Sequence, residues 1–180
     1  LRARVKPGTR VGFMEPDFRA PLAKVGYLEA TGRTELAAIR EWGASALVTL
    51  IEDREFELLG VSALPLALRA AGIEWHHLSV KDVHAPDQRF ENRWVYAGAR
   101  LRERLRAGER VLVHCRGGLG RAGSVAARLL VEFGAAPNEA IAQVQAARPR
   151  AIETREQERW VHAQQAVDAA RDARWSRQLA

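Results

Sequence analysis

The chain has 180 residues, is 47% hydrophobic and 28% charged, and carries a formal net charge of +6. That is enough apolar material for one good core, so a single domain over residues 1–180 is expected; no apolar run is long enough to cross a bilayer, and no signal peptide is read at Leu1. The single cysteine excludes an intrachain disulfide and favours a reducing, cytoplasmic setting, while the positive charge, arginine apart from Lys6, Lys24 and Lys81, is spread too evenly for a nucleic-acid surface.

In chain order, Val11–Met14 reads as a first strand. Leu36, Ile39 and Trp42 recur at helical spacing after a cap at Thr34, and Gly43 ends that helix. Ala46–Ile51 is short, apolar and partly β-branched, the pattern of a buried strand. Glu55–Leu59 and Ala63–Ala71 read as a short and a longer helix. Ile73–Leu78 is a strand that delivers the chain to a loop at Asp82. Residues 87–107 form the longest helix, with Phe90, Trp94, Ala97 and Leu101 on one face and Gly108 as its stop. Val111–Cys115 is the central strand. Helices follow at about 122–133, 138–147 and 155–174, and Trp175–Ala180 are expected to fray. Strands alternating with helices predict an α/β fold, a central and mostly parallel sheet with helices on both faces in a three-layer sandwich.

The most informative stretch is His114-Cys115-Arg116-Gly117-Gly118-Leu119-Gly120-Arg121. It holds the sole cysteine, three glycines, and an arginine six positions after the cysteine. It lies between an apolar strand and an apolar helical pattern, at the carboxyl end of a strand, where open α/β sheets bind ligands. The N-terminal amides and dipole of the following helix face such a loop and favour an oxyanion, typically phosphate. Glycine lets amides approach a ligand closely. Arg121 supplies a planar fork for two phosphoryl oxygens. A cysteine in this setting is poised as a nucleophile toward bound phosphorus. The plainer reading is a structural cysteine that ends a strand beside a Gly-rich turn.

Val111–Ser124, VLVHCRGGLGRAGS, resembles the active-site loop of cysteine-dependent dual-specificity protein phosphatases, nearest to the cyclin-dependent kinase inhibitor 3-like (kinase-associated phosphatase) group. Gly72–Leu78, Val80-Lys81-Asp82 and Pro86-Asp87 resemble that group's acid-loop region, and Ala151–Thr154 with Gln157 its segment after the helix. The resemblance spans roughly residues 35–165. It implies a protein tyrosine phosphatase-like fold and a two-step reaction without metal or cofactor. Cys115 attacks phosphorus, and Asp82 protonates the leaving oxygen. Water then hydrolyses the phosphocysteine with Asp82 as base. Arg121 and the amides of Arg116, Gly117, Gly118, Leu119, Gly120 and Arg121 hold the phosphoryl oxygens.

The acid has rivals: Asp87, better suited to capping the helix it precedes, and His84. Where most relatives carry a Ser or Thr after the arginine, this chain has Ala122, which predicts slow turnover of the intermediate; Ser124 falls within the first helical turn and is a poor substitute. His114 is expected to support the loop through the backbone. Gln157 could orient the hydrolytic water, but Thr154–Gln157 is also a capping box. Arg148 and Arg150 read as solvated charges closing a helix, with a second anion site as the alternative. His76 and His77 alternate across a strand, so no metal site is expected. Trp42, Trp75, Trp94 and Trp160 fit core or half-buried faces.

The expected function is hydrolysis of phosphotyrosine and/or phosphoserine/threonine in a phosphoprotein, with no nucleic-acid or membrane partner and the oligomeric state left open. A phosphoinositide or inositol polyphosphate substrate is one alternative, although the loop offers only Arg116 as an extra cation. A low-turnover phosphate-binding module is the other.

Overall fold

A computed structural model describes residues 10–13, 36, 39–168 and 170. Its sheet has strands β1 (Arg10–Phe13), β2 (Ala44–Thr49), β3 (Glu74–His77) and β4 (Arg110–His114), in the order β1-β4-β2-β3. Every pairing is parallel. The helices are α1 (Asp53–Leu58), α2 (Leu64–Ala70), α3 (Gln88–Arg106), α4 (Gly120–Glu132), α5 (Pro137–Ala147) and α6 (Arg155–His162). This is the α/β architecture that the alternation of patterns predicts.

Period-two alternation along the strands divides the core. Ala46, Val48, Val111, Val113 and Cys115 pack on one face, against Phe90, Trp94, Leu101 and Leu105 of α3 and Val125 and Leu129 of α4. Leu47 and Leu112 face the opposite way, toward Phe56, Val61, Leu64 and Leu68. The buried inner strands therefore read as near-continuous apolar runs, as parallel strands covered on both faces do. A third cluster joins the far side of α4 to α5 and α6 through Ala126, Ala127, Val131, Ala140, Val144 and Val161.

Local signals set the helix ends. Asp87 caps α3 by accepting the Phe90 N–H at 3.0 Å, and Thr154 caps α6 by accepting from Gln157 at 3.2 Å. Gly43 adopts φ +79° after the helical residues 39–41; the expected cap at Thr34 lies outside the described residues, as do Trp175–Ala180. The helix expected over 155–174 ends at His162. Beyond it residues 164–168 run in irregular backbone, and the Val167 N–H donates at 2.9 Å to the Glu132 carbonyl. That contact satisfies a carbonyl in the last turn of α4, a bond that a continued helix would not provide.

No helix among the described residues is long and apolar enough to cross a membrane. Because all strands run parallel, the segments after β2, β3 and β4 emerge at one edge of the sheet. Residues 50–55, 78–87 and 115–121 meet there.

Candidate active site

The loop after β4 keeps Cys115 only 3% exposed. Two of its glycines have separate physical reasons. Gly118 takes φ +64°, a left-handed conformation that disfavours a side chain. At Gly120 a Cβ would lie 2.4 Å from Glu153 Oε2 and 2.8 Å from the buried Gln157 carboxamide, so a side chain there requires both neighbouring side chains to shift. Arg148 closes the loop from behind, its Nη2 donating to the Gly117 carbonyl at 2.8 Å. This corrects the reading of Arg148 as a solvated charge. It is the C-cap of α5 in extended conformation and is 4% exposed, turned inward onto the loop. Arg150 is exposed.

Arg121, in the first turn of α4, is 2% exposed. Its guanidinium meets Glu55 in a two-pronged pair, Nη1 to Oε2 at 2.7 Å and Nη2 to Oε1 at 3.1 Å. Nη1 also donates to the Val80 carbonyl at 3.2 Å, and Nη2 lies 3.0 Å from Asp82 Oδ1. Nε is buried without a partner. Burial alone would lower the Arg121 pKa and raise that of Glu55. The hydrogen-bonded pairing outweighs burial in both, so Arg121 is raised and Glu55 lowered, with Cys115 and Asp82 adding to the shift at Arg121. Both partners therefore stay charged.

The site role of Glu55 is not legible in the sequence because a simpler role absorbs it. Its Oε2 also accepts the Glu52 N–H at 2.8 Å, an ordinary helix-start contact for α1. Pattern alone does not reveal that the same carboxylate reaches a residue 66 positions away.

Asp82 sits in a turn after β3 with its side chain about half exposed. Asp87 is engaged at the α3 cap instead. His84 Nδ1 donates to the Asp82 carbonyl at 2.7 Å, and Val83 between them takes φ +55°, a strained value for a β-branched residue. Gln157 holds this turn from α6. Its Nε2 donates to the His84 carbonyl at 3.1 Å, while its Oε1 accepts from Glu153 N at 2.8 Å and Thr154 N at 3.3 Å. Gln157 is thus a cap and a tether for the Asp82 turn at once.

His114 points away from Cys115, as alternation along β4 requires. Its Nε2 lies 2.8 Å from Thr49 Oγ1, which accepts from Trp75 Nε1 at 2.8 Å; its Nδ1 lies 3.4 Å from the Cys115 carbonyl. Since a carbonyl only accepts, Nδ1 carries the proton and Thr49 donates to Nε2. Burial drives the His114 pKa down to about 4, outweighing the Cys115 carbonyl contact that pulls it up, so the ring is neutral near pH 7. Ser124 donates to the Gly120 carbonyl at 2.8 Å within its own helix. Ala122 is buried beside it.

The structure therefore brings Cys115, Arg121 and Asp82 to one sheet edge, supported by His114 and Gln157. It adds Glu55, Thr49, Trp75, Arg148 and Glu153. A buried thiol, a fixed guanidinium and a partly exposed carboxyl at a helix N-terminus suit attack on a bound oxyanion followed by proton transfer.

The chain is similar to Tk-PTP in its active form, at 28% identity and TM-score 0.57, covering 79% of this chain and 82% of that one. It is similar to the kinase associated phosphatase KAP, solved with its catalytic-site cysteine substituted by serine, at 26% identity and TM-score 0.64, covering 71% and 72%. PTPMT1, at 19% identity and TM-score 0.57 over 88% and 89%, shares the fold. The family model described as PTP-SAK, Swiss Army Knife protein, DSP-PTPase phosphatase domain, matches residues 33–174. The chain belongs to that family of cysteine-dependent, dual-specificity-type phosphatases.

Proposed function

We propose that this phosphatase acts on phosphoproteins through a phosphocysteine on Cys115. The observation that carries the reading is the Arg121 guanidinium. Glu55 fixes it, Asp82 lies 3.0 Å away, and Nε is buried without a partner at the head of α4. A phosphoryl group seated on the loop amides of residues 116–121 supplies the acceptor that Nε lacks. Its oxygens take over Nη2 and release Asp82 toward the leaving group.

In the first step a Cys115–phosphorus bond forms and the ester P–O bond breaks. The departing oxygen keeps the electron pair and takes the Asp82 proton. In the second, water attacks phosphorus, Asp82 accepts its proton, and the thiolate leaves. Arg121 and the amides stabilise the equatorial oxygens in both steps. Ala122 offers no hydroxyl to the departing thiolate, so the second step is the slower one.

The 26% identity and TM-score of 0.64 to the kinase associated phosphatase support a place near that branch, and the phosphoprotein substrate is our reading of the loop, which carries only Arg116 as an extra cation. The test compares phosphate release from phosphotyrosine and phosphothreonine peptides with release from inositol phosphates. Peptide turnover abolished by Cys115→Ser is expected. Turnover of inositol phosphates alone would replace the substrate assignment.

A further inference from the structure

We propose that Glu153 determines the affinity of the phosphate site, because its carboxylate occupies a loop amide that a phosphoryl group must win. The inference rests on residues 115–121 being the phosphate cradle. Glu153 Oε2 accepts the Gly120 N–H at 2.8 Å. Gly120 is the first residue of α4, directly before Arg121, and no side chain of its N-cap Leu119 caps that helix. The donor therefore lies at the positive end of the helix, the place an anion takes. The carboxylate is pressed close: a Cβ on Gly120 would meet it at 2.4 Å.

The backbone of Glu153 is fixed while its head is free to leave. Its N–H donates to Gln157 Oε1 at 2.8 Å, and Gln157 is itself fully buried. The Glu153 side chain is on an exposed residue, so water receives the carboxylate once it swings out. One N–H does not serve two anions at full strength, and a carboxylate left beside a phosphoryl dianion repels it. Each phosphate bound thus displaces the Glu153–Gly120 hydrogen bond. Glu153 weakens binding of substrate and product alike, which favours release of inorganic phosphate after hydrolysis.

The test is calorimetric titration of the full chain with inorganic phosphate at fixed ionic strength, in wild type, Glu153→Gln and Glu156→Gln. Glu156 is an exposed carboxylate in the first turn of α6 and controls for a general loss of negative charge. Glu153→Gln keeps the backbone contacts of residue 153, so the fold is retained. Its phosphate Kd is expected to fall about five- to tenfold, the factor that about 1–1.4 kcal/mol of competing charge-assisted hydrogen bond represents. The KM for p-nitrophenyl phosphate should fall in parallel, with kcat changed less. Unchanged or weaker binding in Glu153→Gln, or equal tightening in Glu156→Gln, overturns the proposal. Wild type that binds no phosphate overturns it together with the cradle reading, whereas binding without the Glu153 effect overturns it alone.

Discussion

Acidification should destabilise the protein through His114 before the carboxylates titrate, and the size of the effect follows from the site. Burial holds the folded ring at about 4 against an ordinary 6.5. As pH falls the unfolded chain takes up this proton first. The stability contributed by the neutral ring is therefore complete above about pH 6.5, is lost progressively toward about pH 4, and does not change further below that. Between about pH 7 and about pH 4.5 the linkage removes about 2 kcal/mol, from about 1.4 kcal/mol per pH unit across most of that gap. The assay is urea unfolding of wild type and His114→Gln at both pH values. His76 is also lowered by burial and shifts stability in the same direction, while Glu55 and Glu74 lose their ion pairs at lower pH; these are common to both proteins and cancel in the difference. Wild type should lose about 2 kcal/mol more than His114→Gln. Parallel losses would mean that His114 is protonated in the fold and that the Trp75–Thr49–His114 arrangement is wrongly drawn.

Other substitutions probe the remaining parts. Asp82→Ala should slow phosphocysteine formation by about 10²–10⁴-fold for an alkyl ester, read as single-turnover rates. Asp87→Ala should instead cost about 1 kcal/mol of stability through the lost α3 cap, read as an unfolding midpoint, with little change in that rate; the reverse pattern would exchange the two roles. Glu55→Gln removes the buried carboxylate that holds the Arg121 guanidinium in its two-pronged pair and leaves only the half-exposed Asp82 as a charged partner, so kcat/KM should drop about tenfold or more and urea unfolding should show a loss of a few kcal/mol. Ala122→Ser should raise steady-state turnover relative to the burst rate with p-nitrophenyl phosphate, and an unchanged ratio would place the slow step elsewhere.

Fold and loop were legible because they rest on local physics. Alternation along Val111–Cys115, the glycines and Arg121 at fixed spacing, and the Asp87 and Thr154 caps all act within a few residues. The parts that the sequence does not reveal depend on distant segments meeting. Glu55 reads as a helix-start acid until β2 and α4 bring Arg121 to it. Arg148 reads as a surface charge until α5 folds back on Gly117. Thr49 and Trp75 look like strand residues until the register of β2 with β3 and β4 sets them beside His114. The end of α6 is not legible in the sequence because an uninterrupted polar-apolar pattern past His162 carries no stop signal; the pairing of Val167 with Glu132 is a tertiary contact.

The central claim concerns one sulfur atom. The most direct measurement is rapid denaturing quench at alkaline pH, where a P–S bond survives, of the protein with a phosphopeptide during the first turnover, followed by mass analysis of the peptide containing residue 115. Trapping of one phosphoryl group on Cys115, absent in Cys115→Ser, is the predicted result. Sustained release of phosphate with no adduct on that peptide, or release that survives Cys115→Ser, would contradict it.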